Sequence, residues 1–459
     1  MKRRIFISTG EVSGDLQGSL LIAALQRHLQ SQQSQSQQSQ SQASPSDRVL
    51  AHNSELAPEQ KSEPALDQAP NQAPDQALEK PAEPTSNNPI APNLDLDIVA
   101  LGGDRMAAAG ATLVGNTTGL GSVGLLEALS YIWPSWRIQQ RAKAYLKENP
   151  PDLVILIDYM GPNLTLGRFL RRSIPQVPIL YYIAPQEWVW SFGKSRSSAI
   201  ADLPNEILAI FPAEAQYYQN LGATVRWMGH PLIDAIDPPQ ADDRAAARAQ
   251  LGIAPDQTTI VLLPASRTQE LQYLLPVMLE AAQILQTQLP KAQFWIPVSQ
   301  PAFVEPLTTA LKAAGLTAQL WQGDNAQLFT AADLAITKSG TVNLELALYQ
   351  VPQVVIYRIS AFSAWILRHV LRFSIPFASP PNLILNREIV PELLQDAATS
   401  DRIAQAALTL LQDPQRRHQV LTDYQTLRST LGEPGVCDRV AQAVWDYLVP
   451  DDNGSIEMP

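Results

Sequence analysis

The 459-residue chain is predicted to be an α/β protein of two doubly wound parallel-sheet domains facing a cleft. Three observations predict this class. Short, wholly apolar runs recur between turn residues, as strands buried on both faces require. Amphipathic stretches of helical length separate them, the alternation of a parallel sheet with crossover helices. The alternation pauses at Pro238-Pro239-Gln240-Ala241-Asp242-Asp243 and then restarts, so this polar stretch reads as a hinge between two units of similar size.

The first apolar run spans residues 4–8. Its basic approach, Met1-Lys2-Arg3-Arg4, mimics the start of a signal peptide, but the run stops at Ser8, too soon for the apolar core of one. It is therefore read as the first strand, with residues 14–29 as the first helix. From residue 30 to residue 42 every side chain is Gln or Ser, and a Pro-, Ala- and acid-rich stretch follows to about residue 93. Such a segment has too little apolar surface to offset its ordering entropy, so residues 31–93 are expected to be a disordered insertion. Strand pattern resumes at Leu96-Asp97-Ile98-Val99-Ala100-Leu101. Asp95 and Asp97 are read as the approach to a buried strand rather than as a metal-binding pair. Further strands are expected at 153–157 and 179–183, with a helix at 136–148. The second unit supplies strands at 259–263, 293–297, 334–336 and 354–357. The domains so defined are 1–30 with 94–237, then 244–433, and a helix at 434–449 packing back across them.

Composition excludes several classes of function. Hydrophobic residues make up 45% and charged residues 17%, as in a globular protein. The net charge is -11, yet ten acidic against three basic residues fall between positions 47 and 97. The remainder carries 34 acidic and 30 basic residues, so nucleic acid is not expected as a partner. A single cysteine, Cys437, excludes a disulfide framework and a Cys-rich zinc site; it is read as a buried structural thiol. No uncharged apolar run reaches the ~18 residues of a membrane span.

In doubly wound sheets, ligands gather outside the carboxyl ends of the strands, and several polar loops stand there. Gly10-Glu11-Val12-Ser13-Gly14-Asp15 follows the first strand and opens a helix; it suits close backbone approach to a ligand, or is a plain turn capped by Ser13 or Asp15. Asp158 ends the strand at 153–157, where a general base belongs, and Asn163 follows; an N-cap and a loop amide are the alternatives. Tyr181-Tyr182-Ile183-Ala184-Pro185-Gln186-Glu187-Trp188-Val189-Trp190 sets aromatic walls beside a proline, suited to sugars or acyl chains. Arg267, in Leu263-Pro264-Ala265-Ser266-Arg267, is equally a phosphate ligand or a surface arginine. In Lys338-Ser339-Gly340-Thr341-Val342-Asn343-Leu344-Glu345, Ser339, Gly340 and Thr341 open a helix toward an anion and Glu345 can accept from a ribose; capping accounts for the same residues. Two phosphate-suited loops in one unit favour a diphosphonucleotide. Finally, residues 120–136, with Leu125, Leu126, Leu129, Ile132, Trp133 and Trp136, and residues 362–377 are read either as core helices or as interfacial helices on a lipid surface.

Taken together, the motifs resemble the lipid-A-disaccharide synthase family. They are Gly10-Glu11-x-Ser13-Gly14-Asp15, Gly103-Asp104-Arg105-Met106, Ile157-Asp158, Pro185-x-x-Trp188-x-Trp190, Gly229-His230-Pro231, Leu263-Pro264-x-Ser266-Arg267, Ser339-Gly340-Thr341-x-x-Leu344-Glu345, Tyr357-Arg358 and Pro381-Asn382-Leu383. They occur in the family's order, across residues 4–30 and 96–448. The resemblance implies a GT-B fold of two Rossmann-like domains, acceptor-binding first and UDP-sugar-binding second, working without metal or cofactor. It implies inverting transfer of 2,3-diacylglucosamine from UDP-diacylglucosamine to the 6-hydroxyl of diacylglucosamine 1-phosphate. Asp158 is then the catalytic carboxylate, and Arg267, Ser339, Gly340, Thr341 and Glu345 hold the nucleotide. Glu11, Ser13, Asp15, Asn163, Pro185, Trp188 and Trp190 meet the sugar substrates, and Leu129, Trp133 and Trp136 meet the membrane. The expected setting is cytoplasmic, peripheral on the inner membrane, with a homodimer among the expected states. Gly161 stands where the family often has a second aspartate, and Ala265 where it has glycine. Two other readings share this fold or these loops. One is another GT-B enzyme on a UDP-sugar, a lipid-linked N-acetylglucosamine transferase or a UDP-sugar 2-epimerase, which would lack the Trp188/Trp190 loop. The other is a non-catalytic lipid-binding relative, against which Asp158, Arg267 and Glu345 together argue.

Overall fold

A computed structural model describes residues 2–42, 94–118, 129–189, 194–265, 267–360 and 377–449. Thirteen strands among them form two sheets, and every pairing is parallel. The first contains β1 (Lys2–Ser8), β2 (Asp95–Gly102), β3 (Thr112–Asn116), β4 (Leu153–Ile157), β5 (Ile179–Tyr182), β6 (Glu206–Ala209) and β7 (Val225–Trp227). Their order is β3-β2-β1-β4-β5-β6-β7. The second contains β8 (Thr259–Leu263), β9 (Gln293–Pro297), β10 (Ala318–Trp321), β11 (Leu334–Lys338), β12 (Gln353–Tyr357) and β13 (Glu392–Leu394), ordered β10-β9-β8-β11-β12-β13. The predicted doubly wound α/β class is thus the one observed.

The central strands are apolar on both faces because helices cover both. All five residues of β4 are buried, as are Ile5, Phe6 and Ile7 of β1. In each sheet the chain first works outward to one side and then returns to the other. The turning points lie between β1 and β4 and between β8 and β11, and at such points the loops diverge and leave a crevice.

Several boundaries differ from expectation. The first helix, Glu11–Gln42, runs twelve residues into the segment predicted to be a disordered insertion from residue 31. Glutamine is a fair helix former, and the Gln33 side chain donates to the Leu94 carbonyl at 3.0 Å; residues 43–93 of that expectation lie outside the described residues. β2 begins at Asp95, and Asp97 pairs with Arg4 at 2.7 Å. Ile183, expected to continue β5, turns left-handed at φ +58. Residues 238–243 lead into a helix, Ala241–Gln250, where the Asp243 carboxylate accepts the Gln240 amide at 2.8 Å.

The last described helix, Val436–Leu448, is capped from afar. Asp234 accepts the amides of Gly435, Val436 and Cys437 at 2.7, 3.1 and 2.7 Å. Arg27 pairs with Asp438 at 3.1 Å, and the His28 and Trp445 rings meet at 5.1 Å, so this helix packs on the first. Cys437 is buried there, and burial beside Asp234 pushes its thiol up to about 12, which keeps it protonated and inert.

Candidate active site

The crevice of the first sheet is closed from both sides by its own loops. A Cβ on Gly10 would come within 2.3 Å of the Tyr159 ring, so only glycine lets the loop after β1 approach the loop after β4. Below this contact, Ser8 Oγ donates to Asn163 Oδ1 at 2.7 Å. The Asn163 side chain is fully buried, and its Nδ2 donates to the carbonyls of Asp158, Ile157 and Ser8 at 2.8, 3.0 and 3.3 Å. Tyr181 Oη donates to the same Asp158 carbonyl at 2.8 Å, and the Asp158 amide donates to Ile183 O at 3.0 Å.

These bonds hold an unfavourable backbone. Asp158 and Tyr159 sit at φ +45 and +48, a left-handed pair that costs about 1–3 kcal/mol for each non-glycine residue. The reward is direction: the chain reverses sharply at the end of β4, and the Asp158 residue is exposed at the crevice. Asp158 therefore stands where sequence placed it. Asn163 does not meet a ligand as expected, because its amide is consumed in fastening two strand ends. Nothing lies within 4 Å of a Cβ built on Gly161, so a larger side chain would fit at this position.

Asp15 is also reassigned. It is buried, and its carboxylate accepts the amides of Gly103, Arg105 and Met106 at 2.7, 3.1 and 3.1 Å. It caps the helix Asp104–Ala108 rather than facing a substrate, since three backbone donors already occupy it. Ser13 is half-buried on the first turn of the helix that Glu11 opens.

The aromatic loop rests on buried acids. Glu214 accepts the amides of Ala184, Ile210 and Phe211 at 2.8, 2.9 and 3.3 Å, and burial pushes its carboxyl up to about 8 against those amides. Pro185 is buried, its carbonyl accepting from Tyr218 Oη at 2.6 Å. Glu187 accepts from Ser197 Oγ at 2.9 Å. Trp188 is half-buried with its ring 5.7 Å from Phe211, and its buried indole N–H has no acceptor among the described residues. Phe211 in turn meets His230 at 5.3 Å. Trp190 lies outside the described residues.

The second crevice, between β8 and β11, gathers the other set. Arg267 precedes the helix Thr268–Gln288. Past β11, buried Asn343 closes the turn: its Oδ1 accepts the Gly340 amide at 2.8 Å and its Nδ2 donates to Lys338 O at 3.1 Å. Ser339 Oγ donates to Ala378 O at 2.6 Å, and Thr341 precedes the short helix Val342–Leu348. Glu345 on that helix is pushed up by burial, while Arg105 opposes the shift. Arg105 belongs to the first sheet's layer, so the two walls of the cleft act on each other here. Arg267 follows β8, and Ser339, Gly340, Thr341 and Glu345 follow the adjacent β11, so the two loops border the same crevice. The sequence placed Tyr181 in the aromatic segment and Arg105 in a family motif without these roles. Glu214 went unmarked, because the carbonyl that Tyr181 meets and the amides that Glu214 accepts carry no residue code.

Trp133 and Trp136 lie on the helix Leu129–Glu148, which carries Pro134 within it. They are 63% and 55% exposed, and the Arg137 guanidinium sits 4.7 Å over the Trp133 ring. The core-helix reading fails for these two residues. The companion stretch 362–377 lies outside the described residues except for its last position. No helix among the described residues is long and apolar enough to cross a membrane.

Comparison with known proteins decides between the readings. The family model for lipid-A-disaccharide synthetase matches residues 84–446. Lipid-A-disaccharide synthases from Gloeothece citriformis and Synechocystis are 47% and 48% identical over 445 residues, covering 97% of this chain and 100% and 98% of theirs. That of Geobacter sulfurreducens is 34% identical over 353 residues, 77% of this chain and 90% of its own. Solved structures share the architecture at far lower identity. The UDP-bound MnaA of S. aureus has a TM-score of 0.57 at 12% identity, covering 100% and 99% of the two chains. The Neisseria meningitidis UDP-GlcNAc 2-epimerase bound to UDP-GlcNAc scores 0.56 at 10%, covering 97% and 100%. The epimerase likeness is one of fold; the sequence likeness runs the length of the chain, which belongs to the lipid-A-disaccharide synthase family of glycosyltransferases.

Proposed function

We propose that the chain transfers 2,3-diacylglucosamine from UDP, with inversion, to the 6-hydroxyl of 2,3-diacylglucosamine 1-phosphate. The products are the β-1,6-linked disaccharide 1-phosphate and UDP. The acceptor oxygen forms a bond to the anomeric carbon of the donor as the bond to the UDP β-phosphate breaks. The hydroxyl proton passes to the Asp158 carboxylate. The observation that carries the reading is the locked, left-handed Asp158 at the crevice, since backbone strain of this kind collects where a side chain must be aimed.

In this reading the second domain binds the donor nucleotide. Arg267 pairs with the diphosphate, Ser339, Gly340 and Thr341 receive its oxygens, and Glu345 accepts from the ribose. The first domain holds the acceptor, with Ser13, Pro185 and Trp188 along its wall. Trp133 and Trp136, exposed beside Arg137, rest on the anionic cytoplasmic face of the inner membrane, where acylated substrates reside. Incubating the protein with UDP-diacylglucosamine and diacylglucosamine 1-phosphate tests the whole. UDP release only when both are present is expected; release without acceptor, or none with both, contradicts it.

A further inference from the structure

The crevice between β8 and β11 contains a second cation whose function the reaction has not so far used. Lys338 is the last residue of β11, and its Nζ lies 3.4 Å from Glu270 Oε1. The two side chains are only 16% and 8% exposed. Glu270 stands on the first turn of the helix Thr268–Gln288, three residues past Arg267. The ion pair therefore spans the crevice from one lip to the other. Lys338 Nζ is also 3.5 Å from the Ser339 carbonyl, and a Cβ on Gly340 would come within 3.1 Å of it. The ammonium is folded over the Ser339-Gly340 turn instead of extending into solvent. Tyr357, at the end of β12, senses the same charges: burial and Glu270 push its hydroxyl up, and Arg267 opposes them.

A largely buried ion pair is a poor way to stabilise a fold, because desolvation of both charges offsets their attraction. It is a good way to keep a mobile charge in reserve. Lysine carries a compact ammonium on a flexible stem, and a diphosphate offers it more negative charge than one carboxylate does. We propose that Lys338 is a ligand of the departing diphosphate, and that Glu270 holds the ammonium at the crevice until the diphosphate competes for it. The inference rests on the nucleotide occupying this crevice.

The two partners then have opposite effects on affinity. Calorimetry on Lys338→Gln, Glu270→Gln, Lys338→Arg and Arg267→Ala, with UDP and with phosphate-free uridine as probes, reads this directly. Lys338→Gln should weaken UDP binding by about tenfold or more, the size of a charge-assisted hydrogen bond, with uridine unaffected. Lys338→Arg should recover most of the loss. Glu270→Gln should tighten UDP binding, because the crevice loses a negative charge. If Glu270→Gln weakens UDP binding as Lys338→Gln does, the pair is structural and the proposal is wrong. If Lys338→Gln binds UDP normally while Arg267→Ala does not, the nucleotide site stands and Lys338 is not part of it. If neither variant changes UDP affinity, the nucleotide lies elsewhere and the proposal falls with that reading.

Discussion

The Asn163 amide nitrogen lies 2.8 Å from the Asp158 carbonyl oxygen, and Tyr181 Oη reaches the same oxygen at the same distance. Two buried donors thus fix the backbone of an exposed carboxylate. Tyr181→Phe removes one donor and keeps the ring's packing. It should cost about 1 kcal/mol of stability, and turnover should fall by about fivefold as Asp158 gains freedom. UDP affinity should not move. Steady-state kinetics with a melting curve checks this; unchanged kcat would mean that Asn163 alone aims Asp158.

His230 gives a pH prediction. Burial lowers its imidazole to about 3, and its Nδ1 accepts the Leu232 amide at 3.2 Å, so the folded chain keeps it neutral. The unfolded chain binds a proton near pH 6.5. Below that pH the unfolded state holds more protons, so stability falls as pH falls, by up to about 1.4 kcal/mol per pH unit until pH 3. Above pH 6.5 His230 contributes no slope. Denaturant titrations between pH 4 and 8 on His230→Asn should show a shallower acid limb than wild type, and an identical limb would contradict the assignment.

Replacing Trp133 and Trp136 together with serine should weaken binding to anionic liposomes by at least about tenfold, given the apolar area withdrawn. It should also raise KM for lipid-presented substrate and leave UDP affinity alone. Because both rings are already exposed, the fold should survive. Liposome binding equal to wild type would remove this helix from the membrane contact.

The architecture was legible because the central strands are apolar end to end, as in 153–157, and parallel sheets have few ways to place such runs. Edge strands were not: β7, Val225–Trp227, has an exposed Trp227 and no buried residue, so nothing in its composition marks it. At the site, the position of Asp158 was readable because the apolar run at 153–157 fixes the end of its strand. Asn163 and Asp15 looked alike in kind, yet they spend their side chains on backbone groups from residues 8 and 103. Long-range carbonyls and amides leave no trace in a linear pattern. The helix past residue 30 was missed for a different reason, since Gln and Ser carry no amphipathic period to extend.

The most direct test of the account is kcat for Asp158→Asn, measured with saturating lipid substrates alongside UDP calorimetry. The substitution keeps the size of the side chain while replacing the proton-accepting carboxylate with a neutral amide. If Asp158 takes the acceptor's proton, kcat should fall by roughly 10²–10⁴, with UDP affinity and melting temperature unchanged. Near-normal turnover in Asp158→Asn, with Glu11→Gln inactive instead, would contradict it and move the base to the loop after β1.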